Sequence, residues 1–219
     1  MRMKSIFRHE TILFLVVIVA LVILSIQAEQ FATIDNLLNQ GRFLTEVSLV
    51  ALIMTFVIVT GGIDLSVGSI LGLSAIVLGV AWKKLGLPLP LAIFVALSVG
   101  TLAGLFNGII ITRFKVPPLI ATLATLALYR GLAEGISQAR SIRGYPEWFF
   151  VLGQGEFFGI PTQLWIVAFF TLLTGFILTY TTWGRATYAI GANETAARFS
   201  GIAVDKTKLF IYAASGFAA

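Results

Sequence analysis

The sequence contains no cysteine among its 219 residues, which excludes disulfides, thiolate metal sites and thiol nucleophiles together. It has a single histidine, His9, and no partner stands at metal-ligand spacing from it. Charged residues make up only 11% of the chain against 58% hydrophobic, and the mean hydropathy is +0.97. That is too little polar surface to cover a water-soluble globule of this length, so a bilayer must be part of the solvent. A phosphate-cradling loop is also missing. The nearest candidate, Gly62 to Ser69, has one residue too many between its glycines and no lysine, so the chain has no nucleotide-hydrolysis motif of its own. The glycines of Gly153-Gln154-Gly155-Glu156-Phe157-Phe158-Gly159 have the wrong spacing for a dinucleotide fingerprint and read as turn material. No basic run is interleaved with aromatics as nucleic-acid binding would require. The net charge of +5 is left to juxtamembrane lysines and arginines that orient helices and meet anionic lipid.

Spanning a bilayer core takes about 20 apolar residues per helix. Six stretches approach that length: Thr11 to Ile26, Leu44 to Val59, Leu65 to Trp82, Leu89 to Thr112, Pro118 to Ser137 and Gln163 to Thr181. A seventh begins at Lys208. The expected fold class is therefore all-α, a polytopic transmembrane bundle forming a single domain over 1–219. A cytoplasmic N-terminus puts Arg2, Lys4, Arg8, Arg113, Lys115, Arg185, Arg198, Lys206 and Lys208 inside, and Arg42, Lys83, Lys84, Arg140 and Arg143 outside. The inner side holds the excess, as the positive-inside rule asks. The first span follows three basic residues, like a secretory signal. Gln27-Ala28-Glu29-Gln30 after it offers no small-residue cleavage site, so an uncleaved anchor is expected.

Gly100, Gly104 and Gly108 recur every four residues along one face of the fourth span, the pattern of a close helix-packing seam. Gly68 with Gly72, and Gly131 with Gly135, repeat it on the third and fifth. Polar residues at membrane depth say more, because each must find a partner. In Thr60-Gly61-Gly62-Ile63-Asp64-Leu65-Ser66 two glycines break one helix, and Asp64 with Ser66 opens the next, where Asp64 can cap its first turn. Either this is a broken helix at a gate or an ordinary capped hairpin on the cytoplasmic side, and depth in the membrane decides. Asn107 lies beside the glycine seam, placed to bond across to another helix or to line a path. Arg130 and Glu134, four apart near the outer end of the fifth span, can pair with each other or contact an external delivery protein. The outer segment 138–162, rich in aromatics, can hold an interfacial helix.

The one polar, sequence-rich loop is Tyr188 to Ile202, within the expected cytoplasmic loop 182–207. Within it Asn193 can cap a short helix beginning at Glu194, whose charge suits a helix N-terminus. Ala196 and Ala197 are small enough to expose backbone to a partner, and Gly201 supplies the stop. Such a helix is either a docking element for another protein or a plain interfacial helix.

Three blocks, taken in order, carry a family resemblance: Thr60 to Ser69, Phe106-Asn107-Gly108 through Lys115-Val116-Pro117-Pro118 to Gly131, and Gly184 to Ile202. They resemble the permeases of bacterial ribose, rhamnose and autoinducer-2 ATP-binding-cassette importers. The resemblance implies an inner-membrane assembly of two permeases, homodimeric or heterodimeric, with two ATPases that hold ATP and Mg. A periplasmic sugar-binding protein feeds such an assembly, and no cofactor belongs to this chain itself. It further implies that Gly191 to Gly201 is the coupling loop, with Asn193, Glu194, Ala196, Ala197 and Arg198 docking the ATPase and Asp64, Ser66 and Asn107 as gate or framework residues. Family members continue through further spans, so a chain ending at Ala219 inside a helix is expected to be truncated. Two other classes remain open: an ion-coupled secondary carrier, for which Asp64 is the one strong buried acid, and a non-transporting structural subunit if the native product ends at Ala219.

Overall fold

The computed structural model describes residues 6–219. Arg2 and Lys4 lie outside the described residues, as do the side chains of Arg8 and His9. The architecture is an all-α polytopic membrane bundle. In chain order it runs α1 (Ile6–Gln27), α2 (Ile34–Val59), α3 (Val67–Lys83), α4 (Leu89–Arg113), α5 (Pro118–Ser137), α6 (Glu147–Gln154), β1 (Glu156–Phe157), β2 (Ile160–Pro161), α7 (Thr162–Tyr180), α8 (Thr182–Ala192), α9 (Glu194–Phe199) and α10 (Val204–Ala218). Among the described residues five helices, α1, α2, α4, α5 and α7, are long and apolar enough to cross a membrane, and α3 is a shorter apolar helix.

Local chemistry sets the helix ends. α2 begins ten residues before the expected span at Leu44, because Thr33 Oγ1 accepts the Asn36 N–H at 3.3 Å and Asp35 faces the positive end of the helix. Hydropathy alone hides this start, since Asp35, Asn36, Asn39 and Gln40 read as loop. α4 starts behind Pro88, and α5 behind Pro117, where the fixed ring suits a first turn. The expected third helix shortens: α3 begins at Val67 rather than Leu65, and its N-cap is Ser66 rather than Asp64. α10 begins at Val204, four residues before the expected Lys208.

α10 packs most extensively on α4, α3 lies against α4 and α5, and α2 lies against α7 and α10. The α4–α10 contact is built on the glycine seam. A Cβ on Gly100 would overlap the Gly216 carbonyl, one on Gly104 would overlap the Tyr212 carbonyl, and one on Gly108 would come 3.2 Å from Leu209 Cα. The other expected seams are not there. Gly68, Gly72, Gly131 and Gly135 have nothing within 4 Å of a built Cβ, because these faces point away from the neighbouring described helices.

Ion pairs mark the two ends of the bundle. Arg42, about two turns into α2, holds Glu156 of the β1–β2 hairpin at 3.1 Å, while Lys115 in the α4–α5 turn holds Asp205 at the start of α10 at 3.2 Å. α6, the interfacial helix expected in segment 138–162, lies near the first of these ends and packs on α7.

Candidate functional site

Two polar centres stand out, one at the α8–α9 surface and one inside the bundle. The first is more structured than the expected loop. Residues 182–192 form helix α8, capped by Thr181 Oγ1 accepting the Gly184 N–H at 3.2 Å. The sequence reading of 182–207 as a loop missed it because Arg185 and two threonines dilute its apolar face. Asn193 then turns the chain and caps α9, its Oδ1 accepting the Ala196 N–H at 2.9 Å. Gly201, at φ +83, ends the unit in a conformation that suits glycine.

α9 has a buried face and an exposed face. Ala197 is only 4% exposed and packs with Ile190 and Val204, so it points inward and cannot meet a partner, contrary to expectation. Asn193, Thr195 and Ala196 are exposed. Gly191 is exposed and also lies against the end of α2: a Cβ there would overlap the Val59 carbonyl. Glu194 and Arg198, expected as docking charges, already have partners within the chain. Glu194 Oε1 accepts from Arg198 Nη2 at 2.8 Å and its Oε2 accepts from Lys208 Nζ. Arg198 also donates to both Asp205 oxygens, through Nη1 to Oδ2 at 2.9 Å, and Lys115 Nζ donates to Asp205 Oδ1 at 3.2 Å. The bond from Lys208, then that from Arg198, holds the Glu194 carboxyl below its usual range, and Arg198 first, with Lys115, pulls Asp205 down to about 2. These carboxylates in turn push the Arg198 guanidinium upward.

The residue the sequence reading passed over is Phe199. It stands 89% exposed at the end of α9. A large apolar side chain next to a capped helix that is anchored on its other face is the kind of anchor that fills a pocket on a partner. Its signal in the sequence was an aromatic within an otherwise small and polar segment.

The second centre surrounds the α2–α3 break. Gly61, at φ +75, turns the chain, and Gly62 lies so close to Tyr212 that a Cβ would come 2.8 Å from its hydroxyl. Broken backbone at depth leaves polar groups that need partners, and here the Ile63 carbonyl accepts from Thr122 Oγ1 at 3.3 Å and from Tyr212 Oη at 3.4 Å. Asp64 is 3% exposed. Its Oδ1 accepts from the Ser66 N–H at 2.9 Å and the Ser66 hydroxyl at 2.6 Å, and its Oδ2 accepts from Ser215 Oγ at 3.2 Å. Asn107 Nδ2 donates to Ser66 Oγ at 2.7 Å, and Tyr129 Oη donates to Asn107 Oδ1 at 3.2 Å and to the Ala103 carbonyl at 2.8 Å. Asn107 lies about two turns inside the end of α4 at Arg113, and Ser215 about three turns inside the start of α10. The break is therefore buried among α4, α5 and α10.

Arg130 and Glu134 form an exposed i, i+4 ion pair at 3.1 Å on α5, apart from both centres.

Comparison with known proteins places the chain. Residues 34–219 match the family described as branched-chain amino acid transport system / permease component. The ribose import permease protein RbsC of Haemophilus influenzae is 39% identical over 93% of this chain and 64% of its own length. The L-arabinose transport system permease protein AraH of Escherichia coli is 35% identical over 85% of this chain and 56% of its own. The autoinducer 2 import system permease protein LsrC of Enterobacter is 38% identical over 78% and 50%. The chain thus spans between half and two thirds of the length of these curated relatives, and no solved structure gives a significant match. With the family profile covering everything from Ile34 to Ala219, the protein belongs to the permease-component family of transport systems that this profile describes.

Proposed function

We propose that this chain is the permease part of an ATP-binding-cassette importer that moves a pentose or related small sugar across the bacterial inner membrane. The observation that carries the proposal is the geometry of α9. Its inner face is fixed by Ala197 and by the Glu194–Arg198–Asp205 ion network, and its outer face presents Phe199. The relatives' names, which specify ribose, L-arabinose and autoinducer 2, supply the substrate class. The partners are cytoplasmic ATPase subunits holding ATP and Mg, a second permease subunit, a periplasmic sugar-binding protein, and lipid.

In this mechanism the ATPase grips α9 through Phe199, Asn193 and Ala196. A displacement of α9 passes through Gly191, which touches the last carbonyl of α2, into the Gly61–Gly62 break. There Asp64, Ser66 and Asn107 join the break to α10, α4 and, through Tyr129, α5. The close α4–α10 seam moves as one body, since interpenetrating backbones leave little room for independent sliding. The network thus serves as a gate latch.

Two linked measurements test this. Because the chain has no cysteine, Ala196→Cys gives a unique thiol for cross-linking to a single-cysteine ATPase in membranes; the expected product is an ATPase adduct, and its absence with normal insertion contradicts the docking. Uptake of labelled ribose, L-arabinose and autoinducer 2 is then compared with leucine, which the family description makes the natural counter-substrate. Selective uptake of leucine would overturn the sugar assignment.

A further inference from the structure

On the end of the bundle opposite α9, four basic side chains converge on one cleft. Lys83 and Lys84 end α3, Arg140 and Arg143 follow α5, and with Ser137 and Gln138 they line a cavity of about 300 Å³. No acidic residue lines it. Among the described residues none of the four forms a salt bridge, whereas Arg42, the other basic residue expected on that side, holds Glu156. The negative end of the α3 dipole accounts for a basic residue such as Lys83 in its last turn. It does not account for two arginines brought in from another segment, because like charges gathered in one cleft repel unless an anion joins them.

The chain is shaped to bring them there. Gln138 and Ala139 take left-handed φ values of 53° and 55°, turning the end of α5 sharply. Gly79 leaves room for Ile142 to seat on α3 about one turn before Lys83: a Cβ on Gly79 would come 2.9 Å from the Ile142 Cβ. Gly144, at φ +89, then carries the chain past Lys83, whose Nζ would lie 3.1 Å from a Cβ at that position. Beside the cleft, Trp82, Tyr145 and Phe149 pack against the cluster of Ala81, Leu89 and Ala92, and aromatics of this kind are enriched at the head-group level of a bilayer. On the adjoining stripe of α5, Ile136 and Leu132 are exposed and apolar. Cationic side chains at head-group height, above an apolar wall, match a phosphate that has acyl chains attached.

We propose that this cleft binds the phosphate head group of an anionic phospholipid in the leaflet opposite the docking helix, with the acyl chains lying along α5. The inference rests on the membrane-spanning fold alone and stands whether or not the chain imports sugar. Basic pockets between membrane helices are suited to such head groups, at an energy that grows with each added cation.

The test uses the full chain in nanodiscs of phosphatidylethanolamine and phosphatidylglycerol, with retained lipid read by native mass spectrometry. Wild type is expected to keep phosphatidylglycerol. The variant Lys83→Gln, Lys84→Gln, Arg140→Gln, Arg143→Gln is expected to keep at least about tenfold less, given the gain each basic residue brings near an anionic surface. Gly79→Leu, which unseats Ile142 without removing a charge, is expected to weaken retention as well, while Arg130→Gln leaves it intact. Replacing the four by the opposite basic residue (Lys→Arg, Arg→Lys) restores retention if the variants fold. Equal retention by wild type and the four-glutamine variant overturns the proposal. So does displacement of the lipid by millimolar inorganic phosphate, which puts a free anion in the cleft. A variant that keeps its lipid but loses a soluble binding protein also overturns it, by making the cleft an acidic-protein dock.

Discussion

Asp64 shows how a carboxylate is held inside an apolar bundle: each of its oxygens accepts from a hydroxyl, and the Ser66 N–H adds a third bond. Removing the Ser215 hydroxyl leaves Oδ2 buried without the bond it has. Ser215→Ala is therefore expected to destabilise the protein by about 1–3 kcal/mol, the cost of an unsatisfied buried acceptor, read by unfolding in detergent. An unchanged midpoint would mean that the bond contributes nothing. The glycines divide by what surrounds them. Gly104→Ala drives a methyl into the Tyr212 carbonyl and is expected to cost about 1–3 kcal/mol as overpacking. Gly131→Ala, in open space within α5, is expected to gain about 0.5–1 kcal/mol of helix stability instead. A four-residue glycine spacing looks the same in all three helices, so the sequence could not separate the seam from the open faces. Asp64, Ser66 and Asn107 were legible because they are polar within apolar runs. Tyr129 and Ser215 were not, since each looks ordinary in its own helix and meets the network only through contacts distant in sequence.

Among the elements, α9 was legible as a capped helix because Asn193, Glu194 and Gly201 are local signals acting within one turn. Its facing was not. Whether Ala196 or Ala197 turns outward depends on α8 and α10 packing beneath, and the sequence showed α8 only as a loop. The ion network escaped for a related reason: Lys115 and Asp205 are 90 residues apart and meet only when the α4–α5 turn folds against α10. That network makes the docking unit acid-sensitive. Glu194 and Asp205 both titrate below their unfolded values, so their stabilisation is fully present above about pH 4 and fades as pH falls towards the folded value of Asp205, about 2. Cleavage of segment 194–205 by pepsin is expected to rise over that window, and Asp205→Asn is expected to flatten the rise. A steep rise that persists in Asp205→Asn would place the acid sensitivity elsewhere. Phe199→Ala, by contrast, is expected to leave the unfolding midpoint within about 0.5 kcal/mol, as for other surface changes.

For the whole molecule, an all-α membrane bundle followed from composition and span length, which need no tertiary knowledge. The boundaries that moved did so for nameable causes: the Thr33 cap on a polar first turn of α2, Ser66 in place of Asp64 before α3, and an early start of α10 at Val204. What the bundle adds is connection. From the exposed Phe199, contacts run through α9 to Gly191, to the end of α2, to the interior break at Asp64, and across to α4, α5 and α10. The decisive measurement is uptake of labelled sugar into cells making the complete transporter, comparing wild type with Phe199→Glu and with Gly191→Val, each inserted in the membrane at normal levels. The expected result is loss of ATP-dependent uptake in both, the first by preventing docking and the second by wedging α8 from α2. Uptake that survives both substitutions and collapses with an ionophore would contradict coupling through α9 and would make the protein an ion-driven carrier.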